Sequence, residues 1–179
     1  MVALELATRR ANPPAAPEAA SEDVDRRLYV RRTWVTRPRP GVDRFASAWL
    51  IQLFIDPHAT FAFALEPSSV DNGVPFDMYD SGFRHEGQRC TFEVLQLHFS
   101  IDDPIVRRIG EIVHDIDLKD DAYHAPHTQT VAALVEGLRA SFSDDHELLR
   151  YGTALFQALY EGMKTVAPRA GTRPKSHRR

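Results

Sequence analysis

Apolar residues recur along this chain at spacings that switch between two and three-to-four, and each switch marks a new element. Leu28 to Val35 is rich in β-branched and aromatic residues (Tyr29, Val30, Thr33, Trp34, Val35), which predicts a strand. Pro38 and Pro40 end it. Phe45, Ala48, Trp49, Leu50, Leu53 and Phe54 then fall three and four apart, predicting an amphipathic helix over 43–55 with Asp43 placed to cap it. Ala59 to Leu65 alternates around Phe61 and Phe63 and predicts a second strand. Strand, helix and strand in so short a span is the pattern of a βαβ unit with a small parallel sheet.

Residues 66–84 are turn-rich, with Pro75 to Tyr79 as a candidate third strand. Thr91 is placed to cap a helix over 92–99. Asp103 caps the next, with Pro104 in the first turn and Ile105, Ile109, Ile112, Val113 and Ile116 as its apolar stripe. Two more helices are expected over 127–141 and 145–164. The expected fold is α+β and predominantly helical: a small β-sheet with a βαβ start, packed against about five helices.

The ends of the chain read differently. Residues 1–27 are Ala, Pro and charge, and offer little apolar surface to offset ordering entropy, so a disordered leader is expected. Residues 167–179 read as a basic disordered tail, leaving 28–166 as one domain. Charge is partitioned in the same way. The segment 33–166 carries eleven basic and twenty acidic residues, although the whole chain has a net charge of only −3. An acidic core with basic ends does not point to a specific nucleic-acid-binding domain. A single cysteine excludes an intramolecular disulfide and is compatible with a reducing compartment. No apolar run is long enough to span a membrane, and the first twenty residues lack the apolar core of a secretory signal, so a cytoplasmic protein is expected.

Candidate chemistry concentrates in two polar stretches, His85 to Glu93 and Glu111 to Asp117. Glu111 and His114 are spaced i, i+3 on one helix face, so both can reach one metal. His85 lies in a loop just before the helix that carries Glu93. A site of His85, Glu93 and His114, with Glu111, Asp115 and Asp117 accessory, has mixed nitrogen and oxygen donors. That set suits a transition metal (Fe, Mn or Zn) rather than Ca or Mg. The same residues also suit simpler roles, Glu93 as an anion at a helix N-terminus and His114 as a cation near a C-terminus. Cys90, beside Arg89 at a helix start, is either a lowered-pKa thiol in the second shell of the site or a small buried hydrophobe. Arg37, Arg39 and Arg44 lie between the first strand and the first helix, where guanidiniums bind a small anion or pair with the core's carboxylates. The charged Asp43-Arg44 pair inside an apolar helix start implies that Arg44 is partly buried and paired.

Several motifs in order resemble one family. They are Trp34-Val35-Thr36-Arg37-Pro38-Arg39-Pro40, Val42-Asp43-Arg44-Phe45-Ala46-Ser47-Ala48-Trp49-Leu50-Ile51 and Phe54-Ile55-Asp56-Pro57. Pro75-Phe76-Asp77, His85, Cys90-Thr91-Phe92-Glu93, Ile112-Val113-His114-Asp115-Ile116-Asp117 and Asp144-Asp145 follow. Over about 33–164 the chain resembles the C-terminal domain of the chromate-resistance protein ChrB. The resemblance implies a role in chromate or oxidative stress. Family members that act as chromate-responsive regulators carry a further N-terminal domain, and the leader here is too short to be one, so a stand-alone domain is expected. Two functions follow as expectations. One is a metal-binding protein or metalloenzyme acting on a small anion or small molecule. The other is a non-catalytic oxyanion (chromate) sensor without its own DNA-binding domain. A third, structural reading gives the polar clusters no task beyond fixing the fold.

Overall fold

A computed structural model of the chain describes residues 25–79 and 81–166. The expected tail and all but the last three residues of the expected leader lie outside the described residues. Three short strands, β1 (Thr33–Thr36), β2 (Thr60–Phe63) and β3 (Val74–Pro75), form a parallel sheet in the order β2-β1-β3. Five helices follow or join them: α1 (Val42–Leu50), α2 (Thr91–His98), α3 (Pro104–Asp117), α4 (Thr128–Ser141) and α5 (Asp145–Val166). The fold is α+β and predominantly helical, as the periodicity indicated.

Helix α1 is the centre of the packing and touches α2, α3 and α5. Eight of its nine residues are buried, including Phe45, Trp49 and Leu50. Trp49 stacks on Phe92 of α2 and meets Phe156 and Tyr160 of α5, while its indole N–H donates to Gln157 Oε1 at 2.9 Å. Phe45 lies flat against Gly152 of α5, where a Cβ would stand 2.3 Å from the ring. Only a residue without a side chain lets the two helices approach this closely. The helix runs on into one wider turn, Ile51–Ile55, closed by Asp56 N–H donating to Ile51 O at 2.7 Å.

Three expectations about elements need correction. The strand expected over 28–35 is split into a 3₁₀ turn at Arg26–Tyr29 and β1 at Thr33–Thr36. The buried Asp56 carboxylate explains the split. It accepts the N–H groups of Arg31 and Arg32 at 2.9 Å each, so the chain bends there instead of joining the sheet. The third strand is Val74–Pro75 rather than 75–79, because the chain turns away at Asp77 (φ 50°). Finally, Gly41 and not Asp43 occupies the cap position of α1, and Cys90 rather than Thr91 that of α2. Asp43 caps α2 instead, from another element.

Candidate functional site

The connection from β1 to β2 leaves on one side of the sheet and β3 adds on the other, so the strand order reverses between β1 and β3. In open parallel sheets, ligands bind outside the carboxyl ends of the strands at such a point. A cavity of about 420 Å³ lies there. Arg37 follows directly on β1, Asp77 follows β3, and Gly41, Asp43 and Arg44 come from the start of α1. Arg84 and His85 come from the loop before α2, and Asp117 from the last turn of α3.

Three carboxylates converge on one imidazole nitrogen. His85 Nε2 is 3.1 Å from Asp43 Oδ2, 3.1 Å from Asp117 Oδ2 and 3.7 Å from Asp77 Oδ1. Hydrogen bonds to Asp117 and then Asp43 push the His85 pKa up to about 10, against the opposing effect of burial. Donor atoms of Asp43, Asp77 and His85 all lie within 4.8 Å of one another, the one such set among the described residues. Donors at about 2 Å from a shared ion stand about 3–4 Å apart, a range that holds the 3.1 Å and 3.7 Å separations of His85 Nε2 from these carboxylates.

Each carboxylate is held by a second element. Asp43 is 3% exposed and accepts the N–H groups of Thr91 (2.9 Å) and Phe92 (2.8 Å), with Ser47 Oγ donating at 3.3 Å. It thus caps α2 from α1. Asp77 has a left-handed backbone, which an aspartate tolerates better than most residues. Its carboxylate pairs with Arg37 and Arg44 at 3.2 Å each and accepts Thr91 Oγ1 at 3.2 Å. Burial and the charge of Asp43 nevertheless raise its pKa, with the two arginines opposing. Arg44 is mostly buried, and its Nη1 donates to the carbonyls of Arg37 and Pro38. Burial lowers its pKa.

Of the residues singled out from sequence, His85, Asp117, Arg37 and Arg44 meet in this cavity. Glu93 and His114 meet each other instead, Oε2 to Nδ1 at 2.7 Å, while His114 Nε2 faces Asp120 Oδ2 at 3.3 Å. Burial opposes charge on His114, but Glu93 and Asp120 outweigh it and the pKa is raised. Glu93 also accepts the Cys90 N–H at 3.0 Å and the Tyr123 hydroxyl at 3.3 Å. This second cluster closes the α2 start onto the α3 end. Asp115 accepts two loop N–H groups beyond α3, and Glu111 makes no hydrogen bond or ion pair in either cluster. Arg39 turns away from the cavity to the carbonyls of Arg139 and Phe142 between α4 and α5. Cys90 is fully buried and its pKa is well raised, burial first and then Asp43 and Glu93, which leaves an unreactive thiol.

Asp43 and Asp77 were not chosen as ligands from sequence. For Asp43 the signal was present: a carboxylate amid Val42, Phe45 and Ala46 must find partners once that face is buried. Asp77 stands likewise between Phe76 and Met78, but in a turn-rich stretch where an aspartate is ordinary.

The model of the family described as ChrB, C-terminal domain, matches residues 34–163, a span that includes every cavity residue. The chain belongs to the ChrB C-terminal domain family. Protein ChrB of Cupriavidus metallidurans (strain ATCC 43123 / DSM 2839 / NBRC 102507 / CH34) is 34% identical over 152 residues, covering 82% of this chain and 46% of that protein. The chain therefore spans about half the length of the curated ChrB it matches. No solved structure matches it. Among the described residues, no helix is long and apolar enough to cross a membrane.

Proposed function

We propose that this domain of the chromate-resistance family binds one divalent transition metal at His85, Asp43, Asp77 and Asp117, with a small anion as its exchangeable partner. The observation that carries the reading is the convergence of three carboxylates on His85 Nε2 inside the cavity at the strand switch point. One nitrogen and three oxygen donors suit Mn, Fe or Zn. Position adds support. Asp117 sits in the last turn of α3, where the helix dipole disfavours an anion and a neighbouring cation offsets that cost. An ion held there would take the place of the proton on His85, and Arg37, Arg44 and Arg84, which line the same cavity, suit an anionic co-ligand. The family reading as a metal-dependent stress protein rests on this site.

Calorimetry of the chelator-stripped protein with Mn²⁺, Fe²⁺ and Zn²⁺ tests it, together with elemental analysis of the protein as purified. The expected result is saturable binding of one ion per chain, abolished in His85→Ala and weakened in Asp117→Asn. Equal metal in wild type and His85→Ala overturns the reading. A second reading, an oxyanion sensor without metal, draws on the three arginines of the cavity. It predicts chromate or sulfate binding that persists after chelation and is lost in Arg37→Ala.

A further inference from the structure

Residues 118–127, between α3 and α4, are fastened in a way that ties them to the site. Lys119, Asp121, His124 and His127 all have left-handed backbone (φ 57°, 51°, 48° and 76°), and none is glycine. Aspartate and histidine tolerate this region better than most residues, so Lys119 is the costly position, and contacts from outside the segment help to hold its path. Ala125 is buried in the core and Tyr123 packs against it, and polar contacts add to this packing. Asp115, buried in the last turns of α3, accepts the Tyr123 N–H at 3.0 Å and the Ala125 N–H at 2.7 Å. His114, its neighbour on α3, faces Asp120 at 3.3 Å. The Tyr123 hydroxyl reaches Glu93 at 3.3 Å, and its ring stands edge-on to His114 with centroids 4.9 Å apart.

Most of these tethers come from two adjacent residues near the end of α3, and Asp117 is the last residue of that helix. The same end gathers Asp115, Asp117, Asp120 and Asp121, four acidic residues where the helix dipole is already negative. A cation held by Asp117 relieves that repulsion and fixes the final turn from which the tethers project.

We propose that residues 118–127 form a strap whose closure is coupled to occupancy of the Asp43–Asp77–His85–Asp117 site. Filling the site with a divalent cation tightens the strap. Emptying it loosens the strap and opens the polar basin lined by Asp121, His124, His127 and Thr128. The inference rests on the metal-site reading above. Coupling between two sites is reciprocal, so loosening the strap weakens cation binding by the same factor that the cation tightens the strap.

The test is amide hydrogen exchange across the full chain in Mn²⁺ and in chelator, run beside Mn²⁺ calorimetry. The expected result is exchange at Tyr123 and Ala125 slowed by about fivefold or more in Mn²⁺. Two variants, Asp115→Asn and Tyr123→Phe, should each weaken Mn²⁺ binding, the former by about fivefold or more. Tyr123→Phe removes only one tether and leaves the core intact, so it serves if Asp115→Asn fails to fold. Mn²⁺ binding with unchanged strap exchange, or unchanged affinity in the folded variants, overturns the coupling alone. No Mn²⁺ binding in the wild type overturns the metal reading and the coupling with it.

Discussion

Asp43→Asn separates what the site's central carboxylate does for the fold from what it does for a ligand. The side chain is almost fully buried and receives four hydrogen bonds, from Thr91 N–H, Phe92 N–H, Ser47 Oγ and His85 Nε2. Asparagine keeps the shape but replaces one oxygen with an amino group. The remaining oxygen serves one backbone N–H of α2; the other then faces a donor. Leaving a buried donor unmatched costs about 1–3 kcal/mol. Removing the negative charge from the α2 N-terminus costs about 0.3–1 kcal/mol more. The expected loss is therefore about 1–4 kcal/mol, a sizeable part of a typical total of about 5–15 kcal/mol. Asp117→Asn is the control. Its carboxylate is partly exposed, meets the half-exposed His85 and sits at the unfavourable end of a helix. Its expected effect in chelator is within about 1 kcal/mol of zero. Urea unfolding of both variants in chelator, followed by circular dichroism, gives the two numbers. A loss in Asp43→Asn below about 1 kcal/mol, or no larger than in Asp117→Asn, refutes the assignment of Asp43 as the remote cap of α2.

Two further outcomes follow from the packing. Gly152→Ala places a Cβ 2.3 Å from the Phe45 ring, so α1 and α5 must separate; the expected loss is about 1–3 kcal/mol or more, and an unchanged Tm contradicts the close approach. Asp56 accepts from the N–H groups of Arg31, Arg32 and His58 and from the Trp34 indole; burial opposes its charge, but these donors outweigh it and its pKa is lowered. A carboxyl with a depressed folded pKa contributes stability that is complete above its unfolded pKa and lost as pH falls through the folded value. Urea midpoints of wild type and Asp56→Asn should therefore differ most near neutral pH and converge as pH drops below about 4; a gap that persists unchanged at pH 2–3 refutes this linkage.

Elements were legible in the sequence where burial is one-sided and local. The stripe Ile105, Ile109, Ile112, Val113 marks α3, and the run around Trp49 marks α1, because a helix that buries one face must repeat its apolar residues every turn. The family and the pool of reactive residues were legible too, since His85 and Asp117 belong to two dense polar stretches and Arg37 and Arg44 lie between the first strand and the first helix. Tertiary structure decided how that pool was divided. His85 pairs with Asp43, 42 residues away, and Glu93 pairs with His114, 21 residues away. Proximity in sequence suggested that His85 and Glu93 work together, yet the start of α2 lies between them and sends them to different clusters. Asp43 finds the amides of α2 only because Phe45 and Trp49 press α1 onto that helix and against Gly152. Hydrophobic periodicity states which face of a helix is buried. Which distant amide, carboxylate or imidazole meets a polar group on that face depends on how the helices cross, and so only the packed structure supplies it.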